Sequence, residues 1–243
     1  MNAPLAVTRS ACYYVVKLVT DPQLPSNHGL FAPVDVRAEE GTVLNPRSPA
    51  AVSAGNVETS RRVVDLLLAA LAPALPERVP AMSQGTMNNV ALGSVEGAAR
   101  PWAYYETLAG GEGATPWRAG MSGVHTHMTN TLNTPIEALE HAYPLRVLRY
   151  TLRRGSGGAG KFAGGEGLVR EVELLEDTVV SLLTERRVLA PKGLAGGAEG
   201  ARGRNTALRD GGEEALPPKL TRRLPAGTVL RTETPGGGGF DTP

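Results

Sequence analysis

Apolar residues recur at helical spacing along the first third of the chain. Over residues 4–19 (PLAVTRSACYYVVKLV), Ala11, Tyr14, Val15 and Leu18 share one face and Ser10 is a candidate N-cap, so a helix that is already core is expected at the start. Such an abrupt start suggests that an upstream piece is missing or is supplied by another chain. Residues 56–71 give the clearest helix. Val63, Val64, Leu67, Leu68 and Leu71 line one side, Glu58, Arg61, Arg62 and Asp65 largely occupy the other, and Pro73 and Pro76 stop it. Between the two, residues 21–27 read as a proline-marked loop, and 29–36 and 41–44 as short strands. Residues 81–93, small and polar with a double Asn, read as a turn-rich connector.

Later the period changes from helical to alternating. Residues 145–153 predict a strand, 155–167 a glycine-rich loop, and 168–176 with 178–184 two strands joined by Glu176-Asp177 as a hairpin. Short strands follow at 219–224 and 228–232. A helical first part packed with a β-rich, Gly/Pro-rich second part is an α+β fold, with a sub-boundary placed near 143–155.

Between the two patterns lies the stretch 104–150, with three of the four histidines. Residues 123–133 (GVHTHMTNTLN) suit an extended segment, on which His125, His127 and Thr129 would share a face. Thr134-Pro135-Ile136-Glu137 then reads as a capping box opening a helix. Two histidines one residue apart are compatible with two ligands to one metal. A third ligand would have to come from Glu106, Glu112, His141 or His28, none at a compelling spacing. The other reading is a pair of histidines hydrogen-bonded in a polar cleft or at a chain–chain contact.

Composition narrows the function classes. A net charge of +1 gives no electrostatic case for nucleic acid or an anionic membrane. No signal peptide and no run of 18 apolar residues is visible, so a cytoplasmic protein is expected. The one cysteine, Cys12, sits among apolar neighbours and reads as a small buried hydrophobe. The 30 glycines and 19 prolines are spread among apolar segments, which points to many sharp bends in an ordered fold. Residues 155–161 (GSGGAGK) fit the GxxxxGK part of a phosphate loop. The next residue is Phe162 where a hydroxyl should hold Mg²⁺, and the glycines that follow disfavour the helix that would orient the amides. Glu185-Arg186-Arg187 reads as a solvated charge run. No nucleophile elbow or zinc-protease helix motif is present.

Taken in order, many short motifs resemble the C-terminal half of the hydantoinase B family, which includes the corresponding region of ATP-dependent 5-oxoprolinase and of acetone and acetophenone carboxylases. They include Asn27-His-Gly29, Gly41-Thr-Val-Leu-Asn-Pro46, Gln84-Gly-Thr-Met-Asn-Asn89, Tyr105-Glu106 and Gly110-Gly-Glu-Gly-Ala114. Further on come Gly123-Val-His-Thr-His-Met-Thr-Asn-Thr131, Gly164-Gly-Glu-Gly-Leu-Val-Arg170, Glu185-Arg186 and Pro235-Gly-Gly-Gly-Gly239. Residues 1–243 would then form the C-terminal portion of a hydantoinase B-type domain.

The resemblance implies one piece of an ATP-dependent cyclic-amide hydrolase, N-methylhydantoinase B-type. An A-type partner subunit would bind ATP and Mg²⁺ and phosphorylate the amide oxygen, and the B subunit would help open the activated ring. The upstream half of the B subunit would carry any metal ion, with its identity unassigned. The assembly is expected to be oligomeric. His125, His127, Glu106 and Asn130 are the residues expected to line its cleft. A carboxylase-type large subunit, or a catalytically silent assembly module, are the alternatives. The sequence departs from the family pattern at Ala119 and Gly155, where acids are usual, and at Ala163, where Arg is common.

Overall fold

A computed structural model describes residues 1–243 and divides them into two compact units. The first comprises Met1–Pro80 with His127–Thr129, and the second Ala81–Thr126 with Asn130–Pro243.

In the first unit, helix α1 (Leu5–Thr20) buries Thr8, Ala11, Val15 and Val19 along one stripe. It begins at Leu5, earlier than expected. Ser10 therefore lies inside it, and its hydroxyl donates to the Ala6 carbonyl (2.8 Å) instead of capping. The strand expected over 29–36 is instead a single helical turn, α2 (His28–Phe31), because the Asn27 side chain accepts from the Leu30 amide and caps it. Residues 41–44 form a tight turn closed by a bridge between Thr42 and Asn45. A π-helical turn, Gly55–Thr59, runs directly into α3 (Ser60–Leu71), which packs against α1.

The polar side of α3 is not the wet side. Glu58, Arg61 and Asp65 are 1%, 0% and 4% exposed, while Leu66 is 67% exposed. The charges tolerate burial because they occur together. Burial lowers the Arg61 guanidinium to about 10, opposed by Asp65 and Glu58, so it stays protonated at neutral pH. Arg62 pairs with Asp65 at 2.8 Å.

The second unit is a two-sheet sandwich. One sheet has the order β2-β1-β5-β8 and the other β3-β4-β9-β6-β7, every pairing antiparallel. The strands are β1 (Asn89–Ser94), β2 (Ala103–Thr107), β3 (Leu145–Arg153), β4 (Gly167–Leu174) and β5 (Thr178–Leu183). They continue with β6 (Arg204–Arg209), β7 (Gly212–Ala215), β8 (Lys219–Leu224) and β9 (Val229–Glu233). Inward positions from both sheets, among them Val90, Leu92, Val172, Leu174, Val180, Leu182 and Leu230, build the core. The fold class is α+β, and no helix is long and apolar enough to cross a membrane.

β4 and β5 do not form the expected hairpin. Each is central in its own sheet, and their inner side chains meet face to face across the core. The connection is tied down accordingly. The Trp102 indole donates to Glu176 (2.5 Å), and Asp177 accepts from Arg223 and from the Ala226 amide. Helix α4 (Ile136–Ala142) has Pro135 at its N-cap and no side-chain cap, so the capping box at Thr134 does not form.

Beside the sandwich, glycine-rich segments from distant parts of the sequence pair backbone to backbone. Gly237 donates to Gly165 O, Gly158 to Gly237 O, Gly238 to Met82 O, and Ala114 to Gly238 O, all at 2.8–2.9 Å. The approach is close enough to exclude a side chain. A Cβ at Gly113 would stand 1.9 Å from Ala81 O, and one at Gly237 would stand 1.9 Å from Glu112 O. This also settles how 155–161 is used. The amides of Gly158, Lys161 and Phe162 donate to the carbonyls of Gly237, Asp241 and Phe240, and no helix follows.

Candidate functional site

Strand alternation turns Tyr104 and Glu106 of β2 inward and leaves Tyr105 57% exposed. A carboxylate on an inner face must be paired, and Glu106 is. Its Oε1 accepts from Arg170 Nε (2.8 Å), while Oε2 accepts from the Tyr104 hydroxyl (3.0 Å) and from Asn133 Nδ2 (3.1 Å). Glu106 is 7% and Arg170 2% exposed, and the pair joins strands of opposite sheets. Asn133 also donates to Thr107 O (2.9 Å) and accepts from the Tyr150 hydroxyl (2.7 Å). Arg170 lies on the Tyr150 ring, its Cζ 4.6 Å from the centroid. That ring face supports a guanidinium whose Nη1 and Nη2 are buried without a hydrogen-bond partner. Burial pushes the Tyr104 phenol up to about 12 and raises Tyr150, so both are neutral donors at physiological pH. Removing one hydroxyl tests the network. Tyr150→Phe leaves Asn133 Oδ1 unsatisfied and should cost about 1 kcal/mol, read as a lower urea midpoint with an unchanged slope.

A second polar cluster continues from the end of β2. Asn88, buried and in the left-handed region (φ 48°), donates to Gln84 Oε1 (2.8 Å) and Leu108 O (3.1 Å) and accepts from Arg187 Nη1. Arg187 Nη2 donates to Asn205 Oδ1 (2.7 Å), whose amide donates to Thr184 Oγ1 (3.0 Å). Arg186 is 6% exposed and donates to Ala190 O (3.0 Å). Residues 185–187 are therefore not a solvated charge run. After β5 the chain turns at Arg186 (φ 60°) and carries both guanidinium groups into hydrogen-bonded surroundings, with only Glu185 meeting a surface cation, Lys219, at 2.6 Å. Arg170, Arg187 and Asn205 are the polar residues that sequence reasoning did not single out as chemistry. Their signal was a charged or amide side chain at an inward position between apolar neighbours, as in Leu168-Val169-Arg170-Glu171-Val172.

The four residues expected to line a cleft are placed differently from one another. His125 is half-buried and Asn130 exposed in the second unit, and Glu106 is buried there. His127 belongs to the first unit, where its Nδ1 meets the Tyr14 hydroxyl at 3.3 Å. The segment 123–133 is not a strand. Val124 makes one isolated bridge to Gly110, and His127 takes a left-handed conformation (φ 56°), which ends the alternation that would put His125, His127 and Thr129 on one face. Thr129 accepts from the buried Arg61. Among the other residues considered for a metal, His28 and His141 are exposed, and Glu112 takes a two-point salt bridge from Arg118 (2.8 Å each). No group of three His, Cys, Asp or Glu side chains comes together as a metal site. Cys12 is half-buried, and burial raises its thiol.

The sequence profile of the hydantoinase B/oxoprolinase family matches residues 1–243. The chain belongs to that family. Among hydantoinase B/oxoprolinase relatives, 5-oxoprolinase 1 of Arabidopsis thaliana is 45% identical over 98% of this chain and 18% of its own length. In three dimensions the chain resembles the ATP-dependent caprolactamase of Pseudomonas jessenii (TM-score 0.85, 24% identity, 99% of this chain and 44% of that one). It also resembles an acetone carboxylase (TM-score 0.83, 19% identity, 99% and 37%). These two likenesses establish the fold alone. The chain spans less than half the length of the curated relatives it matches.

Proposed function

We propose that this chain serves as the C-terminal portion of a hydantoinase B-type subunit in an ATP-dependent cyclic-amide hydrolase. The observation that carries this reading is the 45% identity to a protein named 5-oxoprolinase, extending over nearly all of this chain. In this reading an A-type partner subunit binds ATP and Mg²⁺ and phosphorylates the amide oxygen of the substrate. Phosphorylation weakens amide resonance and makes the carbonyl carbon a better electrophile. What remains is to hold the activated ring, position water and stabilise the charge that develops on oxygen. The use of the 155–161 amides in backbone pairing supports placing the nucleotide on the partner. In the same reading, any metal ion is held by the upstream half of the B subunit.

Within the second unit, His125 and Asn130 are the groups we assign to polar contact with substrate or water. Glu106 acts as a positioning residue. It fixes Asn133 and, through it, the exit of the histidine segment.

Reconstitution tests the whole reading. The purified chain with ATP and 5-oxoproline should release no ADP and open no ring. Combined with an upstream half and an A-type subunit, it should show lactam-dependent ADP release, and His125→Ala should lower kcat/KM by about tenfold or more. Ring opening by the chain alone would overturn the proposal, as would a fully assembled complex that turns over carbonyl compounds with bicarbonate and leaves lactams untouched.

A further inference from the structure

Helix α1 carries two stripes. One (Thr8, Ala11, Val15, Val19) is buried. The other, Ser10, Tyr13, Tyr14 and Lys17, falls at i, i+3, i+4 and i+7 and on a surface helix would ordinarily be polar throughout. Here it presents two tyrosines. The following segment folds back over it, so that Phe31 stacks on Tyr13 with centroids 4.6 Å apart and planes 15° from parallel. Together with Leu18, Pro22 and Ser26 these residues line a solvent-open pocket of about 420 Å³, wholly within the first unit. That volume is within the range of small-molecule sites, which are mostly apolar with a few convergent polar groups.

The polar groups define the ligand. Lys17 Nζ has one hydrogen bond, to Ser26 Oγ at 3.2 Å, and no carboxylate partner. Among other cations of the unit, Arg37, Arg47 and Arg62 pair with Asp35, Glu40 and Asp65, and Arg78 donates to the Val19 and Thr20 carbonyls. Tyr14 is held in place, edge-on to the His127 ring (5.8 Å, 77°) and with its hydroxyl at His127 Nδ1. A single ammonium without an arginine fork suits one negative charge better than a phosphate dianion. The stacked Tyr13–Phe31 pair offers a flat apolar wall to the remainder of the molecule.

We infer that this cavity binds a small monocarboxylate with an apolar body, its carboxylate at Lys17 and Ser26 and its body against Tyr13 and Phe31. The site stands on the first unit's own geometry and does not depend on the activity proposed above.

Calorimetric titration of the full chain with benzoate and hexanoate tests it, with hexanamide and hexylamine as neutral and cationic counterparts. Saturable one-to-one binding of the carboxylates is expected, at least about tenfold tighter than hexanamide, with hexylamine weaker still. Lys17→Met keeps the aliphatic stem and removes the charge. It should weaken the carboxylates about tenfold or more, while Lys17→Arg retains most of the affinity. Phe31→Ala should weaken every apolar probe. Equal affinity for hexanoate and hexanamide in the parent chain would overturn the assignment without recourse to any variant. So would an absence of saturable binding, or self-association abolished by Phe31→Ala, which would mark the face as a contact between copies.

Discussion

Gly113→Ala is expected to leave no stably folded second unit. The added methyl would stand 1.9 Å from Ala81 O and 2.5 Å from the Ala81 carbonyl carbon, and neither is the end of a side chain that can rotate away. Both backbones are anchored. Ala81 donates to Ala114 O (2.8 Å), and Gly113 donates to Ser83 Oγ (3.0 Å). Inserting a methyl into a core with movable neighbours costs about 1–3 kcal/mol. With backbone on both sides we expect more than about 4 kcal/mol, comparable to the whole stability of many domains. Soluble yield and the cooperative thermal transition should both be lost. Gly97→Ala is the control. That residue has a positive φ (80°), but its Cβ would meet nothing within 4 Å, so only left-handed strain of about 1–2 kcal/mol should appear. A Gly113→Ala protein melting within a few degrees of the parent would mean the segments do not approach as described.

That prediction could not have been drawn from the sequence, and the reason is physical. The glycines at 110–113, 155–167 and 235–239 announce bends and close approaches, but not which segments approach one another. The partners are far apart in the chain, and a segment without side chains carries no pattern to match. Strands were legible where alternation is strong, as in Leu145–Arg153, Thr178–Leu183 and Lys219–Leu224. They were not where polar residues dominate, as in RNTALR of β6 and GEEA of β7, which lies wholly exposed at a sheet edge. The expected hairpin at Glu176-Asp177 failed because alternation says that a strand has two faces, and nothing about which strand it borders. At α3 the helix itself was legible. Its wet side was not, since Glu58, Arg61 and Asp65 compensate one another and so tolerate burial. The histidine segment misled in a different way. His127 adopts a conformation usually left to glycine or asparagine, which periodicity cannot register.

Glu106 and Arg170 were each visible as charges among apolar neighbours, but a pairing across 64 positions was not, and it sets the second large effect. Arg170→Met should destabilise the second unit by about 3–5 kcal/mol, because it leaves a carboxylate buried beside Tyr104 and Asn133 with no counter-charge. Glu106→Leu should do similar damage from the other side. The guanidinium would keep only the Tyr150 ring, its Nη1 and Nη2 being already without hydrogen-bond partners. Replacing both, as Glu106→Leu with Arg170→Met, removes the two charges together and should recover most of the loss, since a well-packed apolar pair avoids the desolvation penalty. Guanidinium chloride unfolding of the four proteins gives the coupling directly, with about 2 kcal/mol or more expected. The exposed pair Arg222–Glu214 has equally good two-point geometry, at 2.7 and 2.8 Å, and breaking it should cost far less because water screens it. If Arg170→Met proved as mild as Arg222→Ala, the ion pair would not be the pin between the sheets, and Glu106 would lose its claim to hold the histidine segment in place.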